Sequence, residues 1–299
     1  MTTLPTHDAA PMQTFTPAPR LTLTRMGYGA MQLTGPGIFG PPKDHDAAIA
    51  VLREVVALGV RHIDTCDYYG PFVVNRLIRE ALYPYPDDLK LVTKIGALRD
   101  EKDGSWLSAM QPDQLRQAIE DNLSRLGLDA LDAVNLRMNP GGPEFSVCVK
   151  TMADMQAEGL IRHIGLSNIT LAQLDRALDI VPVATVQNWY NVVHRPSEAL
   201  LRRCEERTIA FVPFFPLGGF TPLAHAVLDD AAGKLGATSQ QIQLAWLLQH
   251  SPVICVIPGT SSLDHLRDNV AAEHLVLPPD VVAALDALGD ESGSPVSHR

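Results

Sequence analysis

The stretch HIDTCDYYG, residues 62–70, sets two carboxylates and two phenols directly behind an apolar run. Acids and phenols so close together can hold a turn, move a proton, or both. A second candidate is Lys94, which ends the apolar run LKLVTK. An ammonium there is costly unless a carboxylate pairs with it, and Asp64 is the natural partner if the two runs lie side by side. A phenol beside that ammonium, Tyr69, is expected to ionise below its reference value of about 10, as proton donation near neutral pH requires. On residue types alone the ion pair reads equally well as structural, and Tyr69 before Gly70 reads first as part of a turn. Arg137, Ser167, Asn168 and Gln187 also follow apolar runs, as do Phe214 and Phe215. By default the amides satisfy backbone and the phenylalanines belong to the core.

The elements that must position these groups alternate along the chain. Ile49, Leu52 and Val56 stripe a helix over residues 46–58, with Gly59 to stop it before VRHID. The plan repeats with Leu115, Ile119, Leu123 and Leu126 before Gly127, and with Phe145, Val149 and Met152 before Gly159. Pro112 suits a first helical turn, and TLAQ at 170–173 and TSQQ at 238–241 have capping-box spacing. Eight strands are expected, near residues 26–30, 60–64, 89–94, 131–137, 160–166, 183–187, 209–214 and 253–257. Eight strands separated by helices predict an α/β fold of the (β/α)8 TIM barrel type, whose chemistry sits at the C-terminal ends of the strands. GPGIFG at 35–40 fits the spacing of a dinucleotide-binding turn. Pro36 and the following Pro41-Pro42 rule out the required strand-to-helix turn, so it reads as a rigid loop over the barrel mouth.

Composition narrows the function classes. A chain of 299 residues with 46% hydrophobic content buries a sizeable core, and no composition break divides it. Residues 1–18, rich in Thr, Pro and Ala, read as a flexible tail ahead of a single barrel domain over 19–299. A net charge of −10 without a dense basic cluster speaks against nucleic acid. The four cysteines are dispersed, and no His, Asp or Glu cluster has metal-ligand spacing, so neither a disulfide framework nor a metal site is expected. No signal peptide or membrane span is legible, which places the protein in the cytoplasm.

The motifs taken together resemble the aldo-keto reductases, over essentially residues 21–275. DTCDYYG matches the family's DTAxxYG, VTK its lysine strand, and GLSN, VQNWYN and PGTSSLDHLRDN its cofactor-binding segments in order. The resemblance implies that Asp64, Tyr69 and Lys94 are catalytic, and that Asp67 and Tyr68 fall on variable positions. It implies NADPH as cofactor: Ser167, Asn168 and Gln187 at the nicotinamide carboxamide, Phe214 stacked on the ring, Thr260, Ser261, Ser262 and Arg267 at the 2′-phosphate, and Gly29, Met31, Leu217 and Asn269 along its length. Gly259 stands where many relatives carry a phosphate-binding Lys, and Phe214 replaces the usual Tyr or Trp.

The chain also departs from the family at strand four, where AVNLRMNP puts Arg137 in place of the usual His. Arg137 either neutralises a rim carboxylate or, the favoured reading, polarises a carbonyl or pairs with an anionic substituent. A bacterial branch resembling the pyridoxal reductases shares that change together with GYGAMQL, GPGIFGPP, EALYPY, VNLR and VPFFPLGGFTPL. That resemblance implies reduction of the pyridoxal aldehyde to pyridoxine, with Tyr69 as proton donor. The alternatives are a general aldehyde-detoxifying reductase and a nicotinamide-sensing regulatory subunit like the potassium-channel β-subunits.

Overall fold

The computed structural model describes residues 11–100, 102–219, 223 and 225–291. The chain opens with an antiparallel hairpin of β1 (Thr14–Ala18) and β2 (Leu21–Thr24). Residues 14–18 were expected to belong to a flexible tail and do not: β1 pairs antiparallel with β2, with a register shift between Phe15 and Ala18, and Phe15 packs against the core. Leu21 and Leu23 are fully buried on the partner strand, so the apolar residues there outweigh the Thr and Pro content that suggests a tail. Residues 1–10 of the expected tail lie outside the described residues.

Seven parallel strands follow: β3 (Tyr28–Gly29), β4 (His62–Asp64), β5 (Lys90–Ile95), β8 (Leu131–Arg137), β9 (Ile161–Ser167), β10 (Val183–Gln187) and β11 (Ala210–Phe211), hydrogen-bonded in chain order. Between β5 and β8 a second hairpin, β6 (Ala97–Arg99) with β7 (Trp106–Ser108), rises from the rim. The eighth position, expected over 253–257, is held by single parallel bridges, Ile254 to Phe211 and Val256 to Met26. These bridges join the sheet's two edges and close it into a (β/α)8 barrel. The Arg25 side chain fastens the seam, donating from Nε to the Ile254 carbonyl at 3.1 Å.

Helices α1 (His45–Ala57), α2 (Val74–Leu82), α3 (Pro112–Leu126), α4 (Phe145–Ala157), α5 (Leu171–Leu178), α6 (Glu198–Arg207), α7 (Ala226–Leu235), α8 (Ser239–His250), α9 (Leu263–Ala271) and α10 (Pro279–Glu291) complete the described helical set. Their ends follow local chemistry. Asp44 caps α1, reciprocal Thr–Gln boxes open α5 and α8, and Gly127 ends α3 in the left-handed conformation. The apolar stripes read from the sequence are the faces that these helices bury.

The barrel interior is filled, and one layer depends on a missing side chain. A Cβ on Gly165 of β9 would stand 2.0 Å from Thr185 Oγ1 and 2.1 Å from Asn135 Oδ1. Those two groups are hydrogen-bonded to each other at 2.7 Å across the layer. Gly165→Val therefore overpacks the centre and breaks a buried polar pair, with an expected loss of about 3 kcal/mol or more. A chemical-denaturation midpoint within error of the parent would refute this.

Candidate active site

At the C-terminal ends of the strands the expected groups converge. Asp64 ends β4, and Lys94 lies one residue from the end of the neighbouring β5. Lys94 Nζ donates to Asp64 Oδ1 at 2.5 Å and to the Thr65 carbonyl at 3.1 Å. Gln187, ending β10 across the barrel, donates its amide to Asp64 Oδ2 at 2.8 Å. Both carboxylate oxygens are thus occupied, and the side chains of Asp64 and Lys94 are only 3% and 7% exposed. Lys94 Nζ also lies 5.2 Å from the centre of the Tyr69 ring.

The electrostatics of the phenol differ from the sequence expectation. Burial, followed by the Asp64 carboxylate and the Cys66 thiol, pushes the Tyr69 hydroxyl well above its usual range rather than below it. The physical reason is that desolvation and the nearby Asp64 charge penalise a tyrosinate more than the Arg137 guanidinium favours it. For Lys94, burial opposes the ammonium, but Asp64 outweighs it and the pKa rises. The resting site therefore holds a neutral phenol beside a charged ammonium.

Two clefts meet at these residues. One, of about 260 Å³, is lined by Gly29, Met31, Leu217, Pro258 and Gly259 among others. The second, of about 300 Å³, is lined by Ile38, Tyr68, Trp106, Arg137, Ser167 and Asn168 among others. Both reach Tyr69, Lys94, Gln187 and Phe214. Asn168 reaches the rim with φ of +57°, its N–H donating to the Gln187 carbonyl at 3.1 Å. The backbones of Gly29 and Gly259 cross so closely that a Cβ on Gly259 would lie 2.6 Å from the Gly29 carbonyl. The first cleft is therefore floored by bare main chain.

The remaining expected residues sit past Gly259 and line neither cleft. Thr260 is buried, and its Oγ1 accepts from the Ser262 N–H at 3.0 Å. Ser262 caps α9, and Ser261 precedes it. Arg267 donates to Glu54 on α1 at 2.9 Å, and Asn269 is buried on α9. The guanidinium expected to meet a phosphate already has a carboxylate partner.

Arg137 is different. Its Nε is buried without a hydrogen-bond partner, and its guanidinium pairs with no carboxylate among the described residues. Burial works against its charge, but the phenols of Tyr68 and Tyr69 outweigh burial and raise its pKa. It lies 5.0 Å from the ring of Trp106 and 5.9 Å from that of Tyr68.

Sequence reading missed two parts of the site. Trp106, on the β6–β7 hairpin, packs edge-to-face on Tyr68 with ring centres 5.4 Å apart. Behind the DTCDYYG turn, Asn75 of α2 accepts from Thr65 at 2.8 Å and donates to Asp67 at 3.2 Å and Asn122 at 2.9 Å. Arg125 of α3 clamps the other oxygen of Asp67. Asp67 thus helps to hold the turn, and Tyr68 walls the second cleft. The available signal was a buried Asn in the apolar stripe of each helix, α2 and α3.

The aldo/keto reductase family model matches residues 25–290. The chain belongs to the aldo/keto reductase family. Among curated relatives, it is 55% identical over 275 residues to the pyridoxine 4-dehydrogenase of Escherichia coli, covering 90% of this chain and 96% of that protein. It is 42% identical to an uncharacterized oxidoreductase of Schizosaccharomyces pombe, covering 90% and 88%. Among solved structures, a thermostable aldo-keto reductase bound to the inhibitor epalrestat superposes with a TM-score of 0.78 at 29% identity, covering 90% of this chain and 96% of that one. A Klebsiella pneumoniae aldo-keto reductase in complex with NADPH has a TM-score of 0.74 at 25% identity, covering 89% and 91%. As an aldo/keto reductase, the chain is an oxidoreductase built on a barrel.

Proposed function

We propose that this aldo/keto reductase uses NADPH to reduce an aldehyde to its alcohol, with pyridoxal as substrate and pyridoxine as product. The observation that carries the reading is the meeting of two clefts at Tyr69 and Lys94. Its likeness to a pyridoxine 4-dehydrogenase along 90% of this chain supports the substrate.

The residues present fit the cofactor. Gln187 spends its amide N–H on Asp64, leaving its carbonyl as an acceptor, while the side chains of Ser167 and Asn168 face the same cleft. Together they match the donor and acceptor of a carboxamide, and Phe214 offers a flat apolar face to the ring. Gly29 and Gly259 leave room for the dinucleotide backbone, and Thr260, Ser261 and Ser262, past Gly259 at the start of α9, would hold a 2′-phosphate, with Arg267 able to join them only on release from Glu54. The bound cofactor supplies the hydride. Tyr69, a neutral phenol where the two clefts meet, transfers its proton to the aldehyde oxygen as negative charge develops there. Lys94, held charged by Asp64, stabilises the tyrosinate left behind. Arg137 offers its guanidinium, which pairs with no carboxylate among the described residues, to an anionic ring substituent, such as an ionised hydroxyl beside the aldehyde.

Two results are expected. Arg137→Gln lowers kcat/KM for pyridoxal about tenfold to a hundredfold and that for benzaldehyde much less, since a charge-assisted hydrogen bond is worth roughly 1.5–3 kcal/mol. An unchanged ratio of the two aldehydes would remove Arg137 from substrate recognition. The raised Tyr69 pKa sets the pH response. With the phenol protonated throughout, reduction stays nearly flat between about pH 6 and 8.5. Alcohol oxidation, which needs the tyrosinate, rises about tenfold per pH unit over the same window. A plateau in the oxidation rate below pH 8 would contradict this assignment.

The substrate is tested by following NADPH oxidation with pyridoxal beside simple aromatic and aliphatic aldehydes. Selective turnover of pyridoxal supports the proposal; equal or better use of simple aldehydes makes the enzyme a general reductase. All four cysteines are free and buried, consistent with a reducing cytoplasmic setting, and among the described residues no helix is long and apolar enough to cross a membrane.

A further inference from the structure

The loop GPGIFG holds an unusual residue over the second cleft. Ile38 has φ of +61°, directly after Gly37 at +69° and two residues before Gly40 at +74°. Glycine adopts such angles freely, but a β-branched side chain in the left-handed region crowds its own backbone. Strain of this kind persists only where the surroundings over-determine it, and here they do. The carbonyl before Ile38, that of Gly37, accepts from Arg99 Nη2 at 3.0 Å. The carbonyl of Ile38 itself accepts from the Gly70 N–H at 3.3 Å. The Gly70 carbonyl in turn accepts from the Gly40 N–H at 2.9 Å, and the Gly40 carbonyl from the Gly35 N–H at 3.0 Å. Both peptides flanking Ile38 are pinned, so neither can flip to relieve the residue.

Two features make this more than a turn. Gly70 directly follows Tyr69, so the strand-like pairing of residues 38–40 with Gly70 fixes Ile38 relative to the proton donor. Ile38 also lines the same cleft as Tyr69, Trp106 and Arg137, and it is partly buried against the core. An Asn or Gly would satisfy the backbone there without strain. What isoleucine adds is a β-branched wall on the loop side of the cleft, whose other apolar lining is Met31, Phe214 and Phe215.

Resting on the aldehyde-reduction reading of this cleft, we infer that Ile38 is a specificity-determining residue that limits the substrate to a single flat aromatic ring. Its strained backbone holds the branched side chain against that ring and excludes fused or bulky rings. Positioning comes from the Gly70 and Arg99 hydrogen bonds, and Ile38 takes no part in proton or hydride transfer.

The test compares benzaldehyde, pyridoxal and 1-naphthaldehyde with the parent enzyme, Ile38→Gly and Ile38→Asn. Ile38→Gly is expected to raise kcat/KM for 1-naphthaldehyde relative to benzaldehyde by about tenfold or more, mainly through KM, without a fall in melting temperature. Ile38→Asn keeps a side chain of similar length on a compatible backbone and shifts the ratio less. Matching ratios across the three proteins would overturn the inference, as would a change confined to kcat. If the parent reduces benzaldehyde but not pyridoxal, the substrate reading fails, and the ratio of benzaldehyde to 1-naphthaldehyde still decides the role of Ile38. The same ratio measured as Kd on the NADPH complex, by tryptophan fluorescence, decides it without turnover.

Discussion

Tyr69→Phe is expected to lower kcat/KM for aldehyde reduction by about a thousandfold while changing the Kd for NADPH by less than about twofold. The substitution deletes one hydroxyl and keeps the ring that packs edge-to-face on Tyr68 at 5.5 Å between centres. Fold and cofactor cleft are therefore retained, and only the proton is lost. Lys94 is tied to Asp64 and Thr65, and the neighbouring Tyr68 phenol is itself pushed well above its usual range, so neither replaces the lost donor at full rate. Turnover by Tyr69→Phe within about tenfold of the parent would mean that Lys94 or water delivers the proton instead.

Lys94→Met is expected to be nearly as damaging to activity and far more damaging to the fold. It leaves Asp64 buried with an uncompensated charge, held by Gln187 alone, at a cost of about 3–5 kcal/mol. Combining it with Asp64→Asn removes the orphaned charge and keeps an acceptor for Gln187, so most of the stability returns while activity does not. Urea-unfolding midpoints for the single and double variants separate the two effects. If the double variant is no more stable than the single one, the ion pair does not carry the energetics assigned to it. If it recovers activity, the ammonium is not needed beside the phenol.

Much of the site was legible because its parts are local. Capping boxes at Thr170 and Thr238, the Gly127 stop and the apolar stripes are set by residues within a few positions of one another. So are the polar endings of β4, β5, β9 and β10, which supply Asp64, Lys94, Ser167 and Gln187 once the strands are taken as parallel neighbours. The prediction of the Asp64–Lys94 pair needed only that adjacency and the high cost of a lone buried charge.

Other properties depend on groups far apart in the chain. Whether Tyr69 ionises early or late is decided by its burial and by the Asp64 carboxylate brought beside it, a matter of tertiary placement and not of composition. The order of residues 14–18 follows from a hairpin partner and a core face, and the eighth strand from two bridges 43 to 230 positions distant in sequence. Asn75 and Asn122 have no signature as site residues until α2 and α3 bring them behind the active-site turn. Trp106 joins Tyr68 and Arg137 only because the β6–β7 hairpin folds back over the rim, and Arg267 meets Glu54 only across α1 and α9. The barrel and the order of the polar groups around its rim follow from periodicity, caps and motifs, which are local. Tertiary structure alone decided which charges cancel, which protons are held and which side chains wall the substrate, because burial and through-space distance set those quantities.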